Sequence, residues 1–441
     1  MRQSCMVLTE YALVRRAADV PPSEREASLA QVCVSDGAFE ELKKLVFVKD
    51  ADAVLTLTHL RGKEVLRVKN YVGLLQTADG TQWEILPKIA QGTDVVVARK
   101  CLLKMLQNVQ DGPFRHLTQA QMQAAHLPLW EIFVGAFATE MEQLTRQGIQ
   151  KCYQLTEDTQ PFLRGKWQPH RQRPLHQETF SVVYDEFSAN VLPNRLLKSC
   201  VLYLSRQSQD FSNQTRLRRL RFAWDEVPPS TNPKQDFERL TASDRRFDRY
   251  QKALQWAKVL LFGQGWTGQG ATPQWSLLWP TERLFEQYVA RSFRRYWEDY
   301  DVVYQDSSTF LIADHQGQKR FHLRPDLVLR KRTSSPTFLL GAGEGSLEVQ
   351  TPTWVLDIKW KWLTPTLPHY GIDQSDLYQL YAYGRKYEAD ALYLLYPAHE
   401  AFQAALPPFY YDEHLSVTVV PFDLTAPLDQ TMQQLREVFE G

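Results

Sequence analysis

Cysteine is scarce in this sequence, and long hydrophobic runs are absent. The five cysteines lie at positions 5, 33, 101, 152 and 200 and form no C-x-x-C pair. That pattern argues against a disulfide framework or a zinc ribbon and favours a reducing compartment. No apolar run reaches the roughly 18 residues of a membrane span, and the N-terminus lacks the apolar core and cleavage site of a signal peptide. We therefore expect a cytoplasmic protein with no membrane partner.

Several nucleotide-binding and catalytic motifs are also missing. The chain has no G-x-x-x-x-G-K-[ST] phosphate loop, no H-E-x-x-H zinc motif and no G-x-S-x-G serine motif. GQGWTG at 263–268 matches G-x-G-x-x-G by letter, but it follows a helical pattern instead of a strand. GAGEGS at 341–346 lacks the Lys-Ser/Thr pair of a phosphate loop. We therefore expect this chain not to hydrolyse GTP or ATP itself.

An excess of positive charge is absent as well. The 51 basic residues are balanced by 51 acidic residues, whereas a protein that holds nucleic acid by charge alone is usually basic. Basic clusters do occur, and each is typical of a solvated helix face or turn. They lie at 216–222, 244–252, 291–297 and 330–332. A nucleic-acid role would therefore depend on local patches or on a partner.

The length and the patterning predict several domains. A chain of 441 residues exceeds one ordinary hydrophobic core, so two or three domains are expected. Strand-like patterns fill the N-terminal part, and helical spacing fills the middle. Beyond the loop at 263–274, the order helix, three strands, helix, strand is typical of an α/β sheet with helices on its faces. We predict a β-rich and helical N-terminal domain at 1–155, a helical linker region at 156–270 and an α/β domain at 271–441, α+β overall.

The stretch TPTWVLDIKWKW at 351–362 places an acid and an amine inside an apolar strand pattern. Because side chains two apart on a strand share a face, Asp357 and Lys359 point the same way. A second strand pattern, RPDLVL at 324–329, carries Asp326. The three side chains converge if the two strands are neighbours in one sheet. Asp357 follows Asp326 by 31 positions, which leaves the direct pairing of the strands open.

Such a group of side chains suits a divalent cation. Two carboxylates close together resist joint ionisation unless a cation lies between them. Mg²⁺ prefers oxygen ligands and typically takes one or two protein carboxylates plus a phosphate, and Mn²⁺ accepts similar ligands. An ammonium nearby orients or activates a water, or neutralises charge on phosphorus. These residues favour metal-assisted phosphodiester hydrolysis, although a lone D-x-K on a strand is otherwise a salt-bridged or solvated edge.

Two helices that flank the strand patterns carry fitting polar residues. In TERLFEQYVARSFRRYW, Glu286 lies in line with apolar residues and is expected to face packing. The alternative is a glutamate at the edge of the apolar face, paired with an arginine. In SDLYQLYAYG, Gln379 and Tyr383 lie one helical turn apart on one face.

These residues carry a resemblance to a known family. P-D followed by D-x-K on the next strand resembles the signature of the PD-(D/E)xK nuclease superfamily, and QLYAY resembles its Q-x-x-x-Y helix motif. The wider set of motifs occurs in the order of the McrC family, the nuclease subunit of McrBC modified-cytosine restriction systems. These motifs are WEILPKI (83–89), PFLRGKW (161–167), YDEFSANVLPNRLLK (184–198), LFEQYV (284–289), RPDLVL, VLDIKWK and DLYQLYAYG. The resemblance spans residues 70 to 390, approximately.

The resemblance implies a C-terminal domain with a PD-(D/E)xK restriction-endonuclease-like fold and a Mg²⁺-dependent DNA endonuclease activity. Asp326, Asp357 and Lys359 would be the catalytic residues, with the two aspartates as metal ligands. Lys359 would position or activate the attacking water. Glu286 and Gln379 would support these three residues.

The resemblance also implies a partner. McrC-like proteins dock by their N-terminal region into an McrB-like AAA+ GTPase ring, which binds the GTP, recognises methylated or otherwise modified double-stranded DNA and translocates along it. The N-terminal domain here would bind that ring and stimulate its GTP hydrolysis. WEILPKI is the favoured contact region, with the core of a hairpin as the alternative. Double-strand cleavage needs two nuclease domains, so we expect dimerisation in the assembled complex.

The sequence also suggests residues that contact DNA, and two alternative functions stay open. Arg294, Arg295 and the cluster Arg330, Lys331 and Arg332 flank the proposed site and are expected to contact phosphates. One alternative function is a PD-(D/E)xK nuclease of repair or recombination with a different motor or none. The other is a non-catalytic adaptor that only activates an AAA+ ring.

Overall fold

A computed structural model of the chain describes residues 5–25, 28–47, 54–89, 94–109, 112–171, 178–240, 245–263, 275–332 and 352–441. The contacts divide the chain into two compact units. The first comprises Met1–His116, Gly265–Gln274 and Leu278–Gly441, and the second comprises Leu117–Gln264 and Trp275–Leu277. This division differs from the three consecutive domains of the sequence prediction, because the N-terminal and C-terminal segments contact each other.

The N-terminal part of the first unit forms one four-stranded sheet and three strands of a second sheet. Trp83 and Ile85 lie in its hydrophobic core with Val14 and Leu66. Side chains of Ser35 and Asp94 cap the two helices by accepting hydrogen bonds from backbone N–H groups of the first turn. The elements are β1 (Cys5–Thr9), β2 (Leu13–Arg16), β3 (Gln31–Val34), α1 (Asp36–Lys44), β4 (Leu55–Leu60), β5 (Lys63–Val68), β6 (Tyr71–Gln76), β7 (Gln82–Leu86) and α2 (Val95–Leu106).

The second unit combines a helical bundle with a small sheet. Its elements are α3 (Gln119–Gln123), α4 (Leu129–Gln147), β8 (Cys152–Gln160), β9 (Lys166–Trp167), β10 (Phe180–Ser188), α5 (Leu192–Gln207), α6 (Phe211–Ala223), α7 (Pro233–Arg239) and α8 (Gln251–Phe262). The three strands form a sheet in the order β8-β10-β9. The region predicted as a helical linker thus contains strands as well as helices. Apolar side chains of the sheet are exposed, including Tyr153, Leu155 and Phe187.

The C-terminal part of the chain builds a six-stranded mixed sheet. Its elements are β11 (Trp275–Pro280), α9 (Thr281–Tyr296), β12 (Tyr300–Tyr304), β13 (Phe310–His315), β14 (Gln318–His322), β15 (Leu327–Lys331), β16 (Thr353–Ile358), α10 (Gln374–Tyr387), β17 (Ala391–Pro397), β18 (Phe409–Tyr410), β19 (Ser416–Phe422) and α11 (Leu428–Glu440). The large sheet has the order β12-β15-β16-β17-β19-β18, β13 pairs with β14, and β11 joins the sheet β1-β7-β6-β11. Among the described residues, no helix is long and apolar enough to cross a membrane.

Helices cover both faces of the six-stranded sheet, as the α/β pattern predicts. Val355 of β16 faces a core that includes Leu380 and Tyr383 of α10. The adjacent residue Trp354 faces the opposite side, where its ring lies 5.6 Å from that of Phe439 in α11. Alternation along β16 therefore assigns odd-numbered residues to the α10 face and even-numbered residues to the α9 and α11 face.

Hydrogen bonds between distant segments hold the first unit together. Thr281 N donates to Asn70 O at 2.9 Å, and Lys104 Nζ donates to Leu424 O at 2.8 Å. Trp360 Nε1 donates to Glu10 Oε1 at 2.7 Å. These contacts join residues far apart in sequence and explain why the contacts do not follow three consecutive domains.

Glu10 is a buried carboxyl group at this junction, with a relative exposure of 1%. Lys88 N donates to its Oε1 at 3.0 Å, in addition to Trp360 Nε1. Burial raises the pKa of Glu10 from 4.5 to about 7 despite these hydrogen bonds. Because the folded-state pKa lies above the unfolded value, the folded state loses stability as the pH rises through this window.

Glu10→Gln is therefore expected to remove a pH dependence of stability. The wild-type protein should lose about 3 kcal/mol of unfolding free energy between about pH 5 and about pH 8 because of this group. The variant keeps the acceptor oxygen but has no charge, so its curve should be flatter by that amount. Urea unfolding of both proteins at the two pH values measures the difference. An identical pH dependence in both would contradict the assignment.

Candidate functional site

The two aspartates predicted from the sequence lie opposite each other on neighbouring strands. β15 pairs with β16 in antiparallel register, with Leu327 opposite Leu356. One step beyond that pair, the register places Asp326 opposite Asp357. Asp326 Oδ2 accepts a hydrogen bond from Ile358 N at 2.7 Å. The long connection between the aspartates therefore does not prevent the direct pairing that the sequence left open.

Lys359 joins the same site from just beyond the strand. β16 ends at Ile358, but Lys359 N still donates to Leu395 O at 2.9 Å and continues the contact with β17. Lys359 Nζ lies 2.8 Å from Asp357 Oδ2. The structure thus brings Asp326, Asp357 and Lys359 together on the α10 side of the sheet.

Asp376, a buried residue in the first turn of α10, also belongs to this cluster, although the sequence analysis did not select it. Its Oδ1 lies 3.4 Å from Lys359 Nζ, and its Oδ2 lies 3.3 Å from Lys361 Nζ. The available signal was its spacing, since Asp376 precedes Gln379 by three residues on one helix face. An acid in the first turn of a helix is common for another reason, its favourable interaction with the helix dipole.

The electrostatics of the cluster raise the pKa values of two acids and of the amine. Burial raises the pKa of Asp326 well above its usual value, and Asp357 and Glu286 raise it further. Burial likewise raises the pKa of Asp357, with Lys359 opposing this shift. Burial alone would lower the pKa of Lys359, but Asp357, Asp376 and Asp326 together raise it. Lys359 is therefore held as an ammonium beside carboxyl groups that resist joint ionisation.

Glu286 reaches the edge of this cluster from α9. It is half-buried, and its Oε1 accepts a hydrogen bond from Gln305 Nε2 at 2.7 Å. Tyr304 is a further hydrogen-bond partner of its carboxylate. The neighbouring residue Phe285 packs against Trp360 with ring centroids 5.0 Å apart, whereas Glu286 itself is only half-buried.

Gln379 lies on α10 and is exposed. Its Nε2 donates to the hydroxyl of Tyr383 at 2.6 Å, and that hydroxyl donates to Arg324 O at 3.2 Å. The predicted one-turn spacing of Gln379 and Tyr383 thus forms a hydrogen-bonded pair. Through Arg324, this pair supports the segment that leads into Asp326.

The basic residues predicted to contact DNA do not gather around the acids. Arg330 pairs with Thr353 in the register, and Lys331 and Arg332 follow it, so this cluster lies at the far end of β15. Arg330 lies four positions after Asp326, about 13 Å along an extended chain. Arg294 is exposed and donates from Nε to Val302 O at 3.2 Å. Arg295 is exposed near the end of α9.

WEILPKI, the favoured contact region for a partner, is buried. Trp83, Ile85 and Ile89 have relative exposures of 2%, 2% and 4%. The structure therefore supports the alternative, in which these residues form the core of a hairpin. The GQGWTG loop, apart from its first residue, and the GAGEGS loop lie outside the described residues.

The carboxyl groups of the site are suitable ligands for Mg²⁺. Asp357 Oδ2 has Lys359 Nζ as its charged hydrogen-bond partner at 2.8 Å. Asp326 and Asp357 offer hard oxygen donors, and the proximity of two acids disfavours their joint ionisation without a cation. In the described part of the chain, no group of three or more His, Cys, Asp or Glu side chains is arranged to hold a metal. A site of two carboxylates matches Mg²⁺ bound together with waters and a substrate phosphate.

Comparison with known proteins decides the family. The McrBC family model, described as a 5-methylcytosine restriction system component, matches residues 66–397. The chain belongs to this family. The McrC resemblance inferred from the motifs is thereby confirmed, and the matched McrBC segment contains Asp326, Asp357, Lys359 and Asp376.

A solved structure from an McrBC assembly is similar in fold. A chain of the refined half-complex from a tetradecameric assembly of Thermococcus gammatolerans McrB AAA+ hexamers with bound McrC is 19% identical. It aligns over 99% of this chain and 100% of that chain with a TM-score of 0.68. A chain of the McrBC complex from the same organism is 20% identical over 67% of this chain and 88% of that chain, with a TM-score of 0.47. No curated protein matches the chain.

Proposed function

We propose that this chain is the Mg²⁺-dependent DNA endonuclease subunit of an McrBC-like restriction complex. The observation that carries the proposal is the pairing of Asp326 with Asp357 across β15 and β16, with Lys359 Nζ 2.8 Å from Asp357 Oδ2. Membership of the McrBC family supports restriction of foreign DNA as the role. The C-terminal sheet would be a PD-(D/E)xK nuclease fold.

Each residue of the site would have a separate role in the reaction. Asp326 and Asp357 would hold Mg²⁺, or Mn²⁺ in its place, and the metal would supply Lewis-acid stabilisation of the phosphate and a more acidic water. Lys359 stays protonated beside its acidic neighbours, so it acts as a charged donor that orients water and neutralises charge on the phosphate instead of acting as a base. Glu286 and Gln379 support this arrangement through Gln305 and Tyr383.

An AAA+ motor would be the partner. The similar Thermococcus gammatolerans structure contains McrB AAA+ hexamers with bound McrC. We infer that this chain likewise binds an McrB-like GTPase ring. That ring would bind GTP and read the modified duplex, while this chain would stimulate its GTP hydrolysis and cut the DNA. Two nuclease domains would meet in the assembled complex to cut both strands.

Reconstitution tests the proposal directly. The chain, an McrB-like motor, GTP, Mg²⁺ and cytosine-methylated plasmid are combined, and each component is left out in turn. We expect double-strand cleavage only in the complete mixture, with chelation of the metal abolishing it. Cleavage without the motor would favour a motor-independent nuclease, and GTPase stimulation with no cleavage under any condition would favour the adaptor function.

Asp376→Asn tests whether the residue missed by the sequence analysis positions Lys359. The amide keeps the shape but loses the negative charge that lies 3.4 Å from Lys359 Nζ. Removing a supporting partner of a metal site typically costs about 10- to 100-fold in activity, and we expect a loss in that range with a changed Mg²⁺ dependence.

Asp373→Asn is the matched control for this variant. Asp373 is exposed in the same segment and pairs with Lys361, so cleavage by this variant should stay near the wild-type rate. Equal rates for the two variants would remove Asp376 from the supporting role.

A further inference from the structure

A second polar cavity lies away from the acidic cluster, within the first unit. It has a volume of about 410 Å³ and is bordered by α2, α9 and the start of α11. Four basic side chains line it together with polar ones: Lys104, Arg115, Arg291 and Arg295, with Asn108 and Ser292 among the others. Among the residues that the structure describes, no carboxylate lines this cavity.

The charges of these residues are not balanced by nearby acids. Lys104 Nζ donates to the carbonyl oxygens of Leu424 and Ala426 at 2.8 and 3.0 Å. Within the ranges that the structure describes, neither Arg291 nor Arg295 forms an ion pair with a carboxylate. Like charges gathered at one place repel each other, and an anion between them removes that cost.

The cavity belongs to a different face of α9 from the proposed active site. Arg291 and Arg295 are four residues apart and therefore lie one above the other on the helix. Glu286 precedes Arg291 by five residues, which corresponds to about 140° around the helix axis. Glu286 faces Asp326 and Asp357, so the arginines face away from the cluster of acids.

The chemistry of the lining identifies the ligand class. Guanidinium groups present planar sets of donors that match phosphate oxygens, and paired arginines suit a phosphate better than lysines do. A cavity of about 410 Å³ is larger than a single phosphate requires and has room for the sugar or the neighbouring group attached to it. DNA backbone, with about one charge per 1.7 Å of duplex, is the polyanion that the proposed function supplies.

We propose that this cavity binds a phosphate group of the DNA backbone outside the cutting site. The inference rests on the proposed function, since DNA is the substrate of that function. The cavity would anchor the duplex by charge and without sequence preference, while the acids cut elsewhere on the same chain. A free nucleotide presents the same phosphate chemistry, and the experiment separates the two sources.

The first measurement compares two double variants by fluorescence anisotropy with a labelled duplex in the presence of a chelator. Arg291→Ala with Arg295→Ala removes both cavity arginines. Arg61→Ala with Arg67→Ala removes two exposed arginines of the N-terminal sheet and is the control for net charge. We expect the cavity variant to lose affinity about tenfold or more, and its plot of log affinity against log salt to become shallower by about two. The control should keep the wild-type salt dependence.

Three further results would test the assignment of this cavity to DNA phosphate. A cavity variant that binds duplex as tightly as the control overturns the inference. Calorimetry with GTP and with inorganic phosphate tests the other source, and tight nucleotide binding that is lost in the cavity variant, with duplex binding unchanged, overturns the DNA assignment. Replacing both arginines by lysine keeps the positive charges and should restore part of the salt dependence. If the alanine variant had lost affinity only because it misfolds, the lysine variant would not show this charge-dependent recovery.

The experiments distinguish failure of the cavity inference from failure of the proposed nuclease function. Asp357→Asn removes a proposed metal ligand and leaves the cavity intact, because Asp357 lies on the other face. If that variant still cuts DNA in the reconstituted complex, the proposed nuclease site is wrong whatever the anisotropy shows. If it does not cut and the cavity variant binds normally, the nuclease proposal stands and the cavity inference falls.

Discussion

Asp357→Asn is expected to lower DNA cleavage by the reconstituted complex about a thousandfold or more, because several kcal/mol of transition-state stabilisation depend on the metal it holds. The amide has nearly the shape of the carboxylate but no charge, and it is a poor ligand for Mg²⁺. Asp357 is buried with a relative exposure of 3%, so water cannot replace the missing charge. Asp326→Asn should have a similar effect, since the two acids form one site.

Plasmid cleavage rates at saturating GTP and Mg²⁺ measure this loss. Asp314→Asn, at an exposed acid of β13, is the matched control and should cut at the wild-type rate. Stimulation of the motor's GTP hydrolysis reports on folding and docking and should survive in all three variants. Full cleavage by Asp357→Asn would show that the paired aspartates are not the metal ligands.

Lys359→Met is expected to lower cleavage about 100- to 1000-fold, a loss typical of removing one charged donor from a preorganised site. Methionine keeps an apolar stem of similar length but removes the ammonium. That ammonium lies 2.8 Å from Asp357 Oδ2 and 3.4 Å from Asp376 Oδ1. Its removal also leaves the buried Asp357 without its charged partner, so we expect a stability loss of about 1–3 kcal/mol.

Cleavage assays and urea unfolding of the same preparations separate these two effects. Lys361→Met is the control, because Lys361 lies two residues further on and pairs with Asp373 and Asp376 at the exposed edge of the cluster. We expect the control to keep most of its activity. A Lys359→Met variant that is unstable yet fully active would leave Lys359 with a structural role only.

The paired strands show what local patterns can predict. Alternation of side chains on β16 correctly assigns Asp357 to one face, because that rule depends only on the strand itself. The strand pattern predicted at 324–329 starts later in the structure: β14 ends at His322 and β15 begins at Leu327. Pro325 lies in the interruption, where its missing N–H cannot contribute to a ladder.

Contacts between distant residues leave no periodic signal in a sequence. The hydrogen bond from Trp360 to Glu10 joins positions 350 residues apart, and no spacing rule connects them. The same holds for Asp376, whose significance appears only when α10 packs beside β16. The strands β8 and β10 were missed for another reason. Their outward apolar residues, such as Tyr153 and Leu155, are exposed and obscure the usual alternation of buried and polar positions.

The direction of the two paired strands has a practical consequence. The chain leaves β15 at Lys331 and enters β16 at Thr353, and Arg330 pairs with Thr353. That end of the ladder is the one remote from Asp326 and Asp357. The hydrogen-bonded pairing of β15 with β16 sets the spacing of the Asp326 and Asp357 carboxyl groups. A fluorophore attached at that end of the ladder would therefore follow the chain through assembly without changing the spacing of the two carboxyl groups.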